Sequence, residues 1–336
     1  MASKMGWIVA AVLVIAVALV VVFRFGCSST LFRSAPTPET TARGFTDLQE
    51  VGISPATVLG SEPGGPGNAA DDYSEAAKLR KSDPELMAEA MSIKSELANG
   101  TGVLPTRALP LIRKIHSHVA AGAAKREMKY TFVHTPAEFV VGFLYKPAED
   151  LYGVYEALEV LFIYHYGRRD YEQAVGVLKD CLVLGRHMTD ERVRADMVRL
   201  GLVIQRKALG GLLQVYNQWD REKYAPQMRA VYQYNDAVNR VLDFYDDKRK
   251  VVWKVRDIRP GDLFHVVEND KDLAWRVQAL LALGVAQYTN ADNGADVQYA
   301  RELFEKYVQG DNRFLAAAAR AAMNFKEEEL HEVWRR

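Results

Sequence analysis

The sequence predicts an all-α protein in three parts: a membrane-crossing helix, a tether, and a body of paired helices. Three observations carry that reading. Unbroken apolar residues run from Trp7 to Phe23, hydrophobic periodicity is lost between Ser28 and Asp72, and from Tyr73 onward apolar residues recur at three- and four-residue spacing. Strand-like alternation is not evident anywhere in that last part.

Taking the elements in order, residues 1–6 form a short tail and residues 7–25 the transmembrane helix. At about 1.5 Å of rise per residue the apolar stretch nearly crosses a hydrocarbon layer of roughly 30 Å. Phe25 joins it if the Arg24 stem reaches back toward the headgroups, which places Trp7 and Phe25 near the two interfaces. A cleaved signal peptide competes, because Lys4 supplies a positive start, yet no Ala-x-Ala site follows. Lipidation of Cys27 is a third reading; it wants an aliphatic residue where this chain has Arg24. Arg24, Arg33 and Arg43 on one side face Lys4 on the other, so charge does not set orientation. A short tail ahead of a first apolar segment stays in the cytoplasm, which favours an extracytoplasmic body.

Residues 26–72 read as a flexible linker rich in Ser, Thr, Pro and Gly, with its extreme in Ser61-Glu62-Pro63-Gly64-Gly65-Pro66-Gly67-Asn68. Leu48, Val51, Ile53, Val58 and Leu59 interrupt it as a candidate short docking segment.

The body divides into residues 73–256 and 257–336. Its clearest stripe is Val193, Met197, Leu200, Ile204, Ala208, Gly211, Val215, with Ala208 and Gly211 small enough to admit a neighbouring helix. Val231, Tyr234, Val238, Val241 and Tyr245 repeat the spacing. Asp83-Pro84 and Thr135-Pro136 read as helix starts, and Gly167 and Gly310 as stops. Pro105, Pro110, Gly122 and Thr131 break the pattern between residues 100 and 135. Near the end, Leu330, Val333 and Trp334 mark the inner side of a charged last helix.

Leu158, Leu161, His165, Tyr171, Ala174, Leu178, Cys181 and Leu182 follow the packing positions of tetratricopeptide repeats, which this segment resembles; Phe162, Arg169 and Arg186 depart from that pattern. Asp272-Leu273-Ala274-Trp275-Arg276-Val277, continuing to Gly284, resembles the second helix of a HEAT repeat, and Asp311-Asn312-Arg313-Phe314 begins a fainter copy. The resemblance implies antiparallel helix pairs stacked as an irregular α-solenoid, a tetratricopeptide-like and HEAT-like array that serves as a binding surface or scaffold.

Lys plus Arg and Asp plus Glu both number 43 among 336 residues, so the whole chain lacks the positive field that gathers nucleic acid. Two cysteines, Cys27 and Cys181, indicate no disulfide framework, and Cys181 sits among apolar neighbours as a small buried residue. His116 and His118, with His134 further on, invite a metal reading, but residues two apart on a helix point away from each other. The glycines from Gly64 to Gly67 lack the lysine and the preceding strand of a phosphate loop. Asn99-Gly100-Thr101 fits the glycosylation pattern, which matters only in a secretory pathway. No catalytic, cofactor-binding or metal-ligating residue is therefore assigned, and no cofactor is expected.

Two surfaces remain. The segment from Tyr130 to Tyr166 holds ten aromatic residues, more than one helix face can bury, and Phe143 and Tyr145 stand for a groove there. Lys248, Arg249 and Lys250, with Trp253, form a basic cluster suited to anionic lipid or an acidic partner. The expectation is a single-pass membrane scaffold that holds lipid through its N-terminal helix and binds a protein partner. The alternative is an extracytoplasmic all-α ligand-binding protein or enzyme with its site in residues 130–166.

Overall fold

A computed structural model describes residues 55–60, 63–129, 146–190, 194–252, 260–270, 272–289, 294–326 and 328. The stretch 7–25, together with Phe143, Tyr145 and Trp253, lies outside the described residues, as do the side chains of Lys248, Arg249 and Lys250. Among the described residues no helix is long and apolar enough to cross a membrane.

The described chain is mostly helical, as the periodicity predicts. A one-turn helix α1 (Pro55–Leu59) leads to a short strand β1 (Gly65–Asn68), then to α2 (Ala69–Lys81), α3 (Pro84–Ser92), α4 (Lys94–Ala98) and α5 (Ala108–Ala123). Strand β2 (Lys125–Glu127) pairs parallel with β1. Four long helices follow: α6 (Lys146–Gly167), α7 (Tyr171–Asp190), α8 (Ala195–Asp220) and α9 (Ala225–Val252). The chain closes with α10 (Pro260–Asn269), α11 (Leu273–Thr289), α12 (Gly294–Val308) and α13 (Arg313–Met323).

Two departures from the sequence reading have simple causes. Residues 55–60 and 63–72, read as linker, belong to the body: Val58 is buried, and Asn68 caps α2 by accepting from the Ala70 amide. Asn68 also exchanges two hydrogen bonds with the Lys129 backbone, at 2.7 and 2.8 Å, so a side-chain amide extends the ladder. Within 100–135, where breaks were expected, a 16-residue helix forms, because Pro110 falls in its first turn, where the missing amide costs nothing. The expected start at Thr135-Pro136 lies outside the described residues; the other signals hold. Asp83 accepts from the Leu86 amide ahead of Pro84, α6 ends at Gly167, and Asn312 caps α13.

Helix α6 is the hub. It is buried around most of its circumference and packs against α2, α3, α4, α5, α7 and α8. From there the order is serial, with α7 on α8 and α8 on α9 across short connections. The stripe from Met197 to Val215 faces inward on α8, and the five residues from Val231 to Tyr245 do the same on α9.

Helices α7 and α8 meet at a glycine pair the stripe does not include. A Cβ on Gly185 would stand 2.7 Å from the Gly201 carbonyl oxygen, and one on Gly201 would stand 2.6 Å from that of Gly185. Beside this contact, Gln205 donates to Thr189 at 3.0 Å and accepts from the Tyr234 hydroxyl at 2.8 Å, joining α7, α8 and α9 through one buried amide. Helices α10 to α13 enclose a second core. Trp275, at the start of α11, belongs to the first core, where its ring lies 5.5 Å from that of Tyr245. Tyr245 also donates to Asp272, whose carboxylate caps α11.

Candidate functional site

The turns at the end of the α7–α8 pair gather an aromatic surface. Helix α6 runs into α7 through residues 168–170, where Arg169 takes a left-handed backbone with φ of 61°, and α8 runs into α9 through residues 221–224. Rings in contact lead from one turn to the other: Phe162 to Tyr166 (5.9 Å between centroids), Tyr166 to Tyr171 (6.1 Å), Tyr171 to Trp219 (6.0 Å), Trp219 to Tyr224 (4.9 Å) and Tyr224 to Tyr216 (4.9 Å, stacked). Trp219 is 37% exposed at the middle of this chain.

A cleft lies at each end of the ring chain. The first, about 300 Å³, opens between α6, α7 and α8, lined by Leu158, Phe162, Tyr166, Leu178 and Gly211 among others. At its mouth the Glu159 carboxylate accepts from Lys94 at 2.7 Å and from the Tyr155 hydroxyl at 3.3 Å, with Lys207 at 3.7 Å. Lys207 stands above the Tyr152 and Tyr155 rings, 5.8 and 5.4 Å from their centroids, where the negative ring faces attract its charge. The second cleft, about 340 Å³, opens between α7, α8, the α8–α9 turn and the α1 strap, with Tyr216, Trp219 and Tyr224 on one wall and Val58 and Gly60 on the other.

Burial pushes the Cys181 thiol, on the floor of the first cleft, well above its ordinary pKa, so it carries no thiolate at neutral pH. Burial and the neighbouring Glu159 charge likewise hold Tyr155 protonated as a donor. His116 pairs with Asp180 at 2.8 Å and His165 with Asp170 at 3.0 Å, while His187 meets Tyr73 at 2.8 Å; none of the three lines either cleft. Among the described residues no group of His, Cys, Asp and Glu is arranged to hold a metal ion.

Of the aromatic segment singled out in the sequence, Tyr155, Phe162 and Tyr166 reach the first cleft, whereas Tyr130, Phe132, Phe139, Phe143 and Tyr145 lie outside the described residues. In the sequence, Tyr171 stands among the repeat packing positions, and neither Trp219 nor Tyr224 is singled out. Tyr216, Trp219 and Tyr224 are near neighbours in sequence, as are Tyr166 and Tyr171, and the meeting of the two turns is what brings Tyr171 against Trp219. Comparison with known proteins finds no family model, no curated protein and no solved structure that matches this chain.

Proposed function

We propose that the protein is a membrane-anchored docking module whose helical body binds a segment of a partner protein along the aromatic end of the α7–α8 pair. The carrying observation is the continuous ring contact from Phe162 to Tyr216, with a shallow cleft at each end. Two small clefts joined by an aromatic track suit two anchor side chains of one extended or helical segment; a small molecule would be better enclosed by one deep pocket. Tyr and Trp offer wide contact area at low entropic cost, which is why they dominate binding hot spots. The serial packing of α6 to α9 supports the solenoid-like reading of the array. In this proposal residues 7–25 hold the chain in the membrane and the body lies on the extracytoplasmic side.

The test places a photoreactive residue at Gln214, beside the first cleft, or at Gln227, beside the second, in the full chain. Both positions are expected to capture the same protein, and Trp219→Ala to reduce capture at least tenfold. Capture of different proteins, or of none, overturns the docking reading. Carbonate-resistant membrane association of the full chain, with the body protease-sensitive from outside, tests the anchor; release into the soluble fraction defeats it.

A further inference from the structure

The second cleft is partly built by the chain's own N-terminal segment. Helix α1 has five residues, too few to hold its shape alone. It is held by docking: Val58 is buried, α1 packs on α9, and Lys179 of α7 donates to the Leu59 carbonyl at 3.0 Å. That carbonyl is one of the acceptors a helix leaves open at its end, and a cation is the favoured partner there. Gly60 then turns the chain away with φ of 88°, a conformation that costs any other residue strain. Yet about 340 Å³ stays open between this strap and the rings of Tyr216, Trp219 and Tyr224.

The residues just ahead of the strap have the composition to fill it. Val51 and Ile53 precede Pro55 in a stretch of mixed polar residues, with Leu48 before them. Ile53 is five residues from Val58, a wall residue of the cleft, and five residues span at most about 17 Å. A segment so closely leashed meets the cleft at an effective concentration in the millimolar range, enough for a weak apolar contact to be occupied most of the time.

We infer that the Trp219 cleft is a docking site for this chain's own tether, with Val51 and Ile53 entering the space between the α1 strap and the aromatic wall. The tether is then the resident occupant of one end of the aromatic surface. On the docking reading above, a partner segment competes with it for Trp219, and partner binding frees the tether.

The experiment is disulfide trapping in the full chain, in detergent, with Cys27 replaced by Ser; the buried Cys181 stays. Ile53→Cys and Val51→Cys are each paired with Gln227→Cys and with Glu172→Cys, both at the cleft, and with Arg320→Cys on α13 as a control. Cleft pairs are expected to close at least tenfold faster than the control pairs, and Trp219→Ala to slow them. Hydrogen exchange on the full chain reads the same contact without cysteines: Trp219→Ala should raise exchange of residues 48–54 at least tenfold while α7 and α8 keep their protection. Cleft pairs that close no faster than the Arg320→Cys controls, or residues 48–54 that exchange alike with and without Trp219, overturn the inference. Neither readout depends on a partner, so a docked tether with no captured protein would defeat only the docking reading.

Discussion

His187 sits in the interior with its Nδ1 2.8 Å from the Tyr73 hydroxyl, and burial lowers its pKa to about 4. Gly122 makes this possible, since a Cβ there would stand 2.5 Å from the Tyr73 ring. The native state keeps this imidazole neutral where an unfolded chain protonates it, so the unfolded state binds more protons between pH 6.5 and 4. Stability is therefore full above pH 6.5 and falls as the pH drops toward 4, by about 3 kcal/mol for this one group. His165, lowered mainly by burial, acts in the same direction. Urea midpoints at pH 7.5 and pH 4.5 should differ less in His187→Gln than in the parent chain; an equal difference would clear His187. None of this was readable from the sequence, where His187 is one histidine among seven and its partner lies 114 residues away.

At the level of the element, the α7–α8 contact brings two backbones together at a pair of glycines. Because the neighbour of each missing Cβ is a backbone oxygen, no rotamer change relieves an added side chain. Gly201→Val should cost about 3 kcal/mol, whereas Gly210→Ala, an open position on the same helix, should be neutral or slightly stabilising. Denaturant unfolding of the two variants separates packing from propensity. The apolar stripe of α8 was legible because burial repeats with the helix period, but Gly201 was not, since a glycine carries no hydrophobic signal. The strap gives the second prediction at this scale. Lys179→Met keeps the stem and removes the donor, so amide exchange of residues 56–60 should rise while α9 is unchanged.

Taken as a whole, the described chain has two cores, with Val266 packed against both. Tyr245, Asp272 and Trp275 are the named bridge between α9 and α11. Trp275→Ala should cost about 3 to 5 kcal/mol, as truncation of a buried aromatic does. Because the lost contacts are the shared ones, calorimetry should show the parent's transition dividing in two; a single transition lowered intact would mean the cores are coupled by other contacts. The helical class was legible at this scale, since it rests on periodicity summed over many residues. The docking end was legible only in part: Phe162 and Tyr166 fall in a conspicuous aromatic run, and Tyr216, Trp219 and Tyr224 lie close together in sequence, whereas the Tyr171–Trp219 contact depends on which turns the fold places side by side, and no local pattern records that.

The distances along the chain also set an order of assembly. Helices α7, α8 and α9 each pack on the helix just before them, and α2 packs on α5 and α6, but the Tyr73 hydroxyl waits for His187, 114 residues on, and Leu59 waits for Lys179, 120 residues on. At a synthesis rate of about 5 to 20 residues per second, those gaps last roughly 6 to 24 s. During that interval α1 has left the ribosome with an apolar face that α7 and α9 do not yet cover. The α1 strap, made well before the helices it docks on, is thus fitted late, and any holding factor that acts on the nascent chain has a long opportunity there.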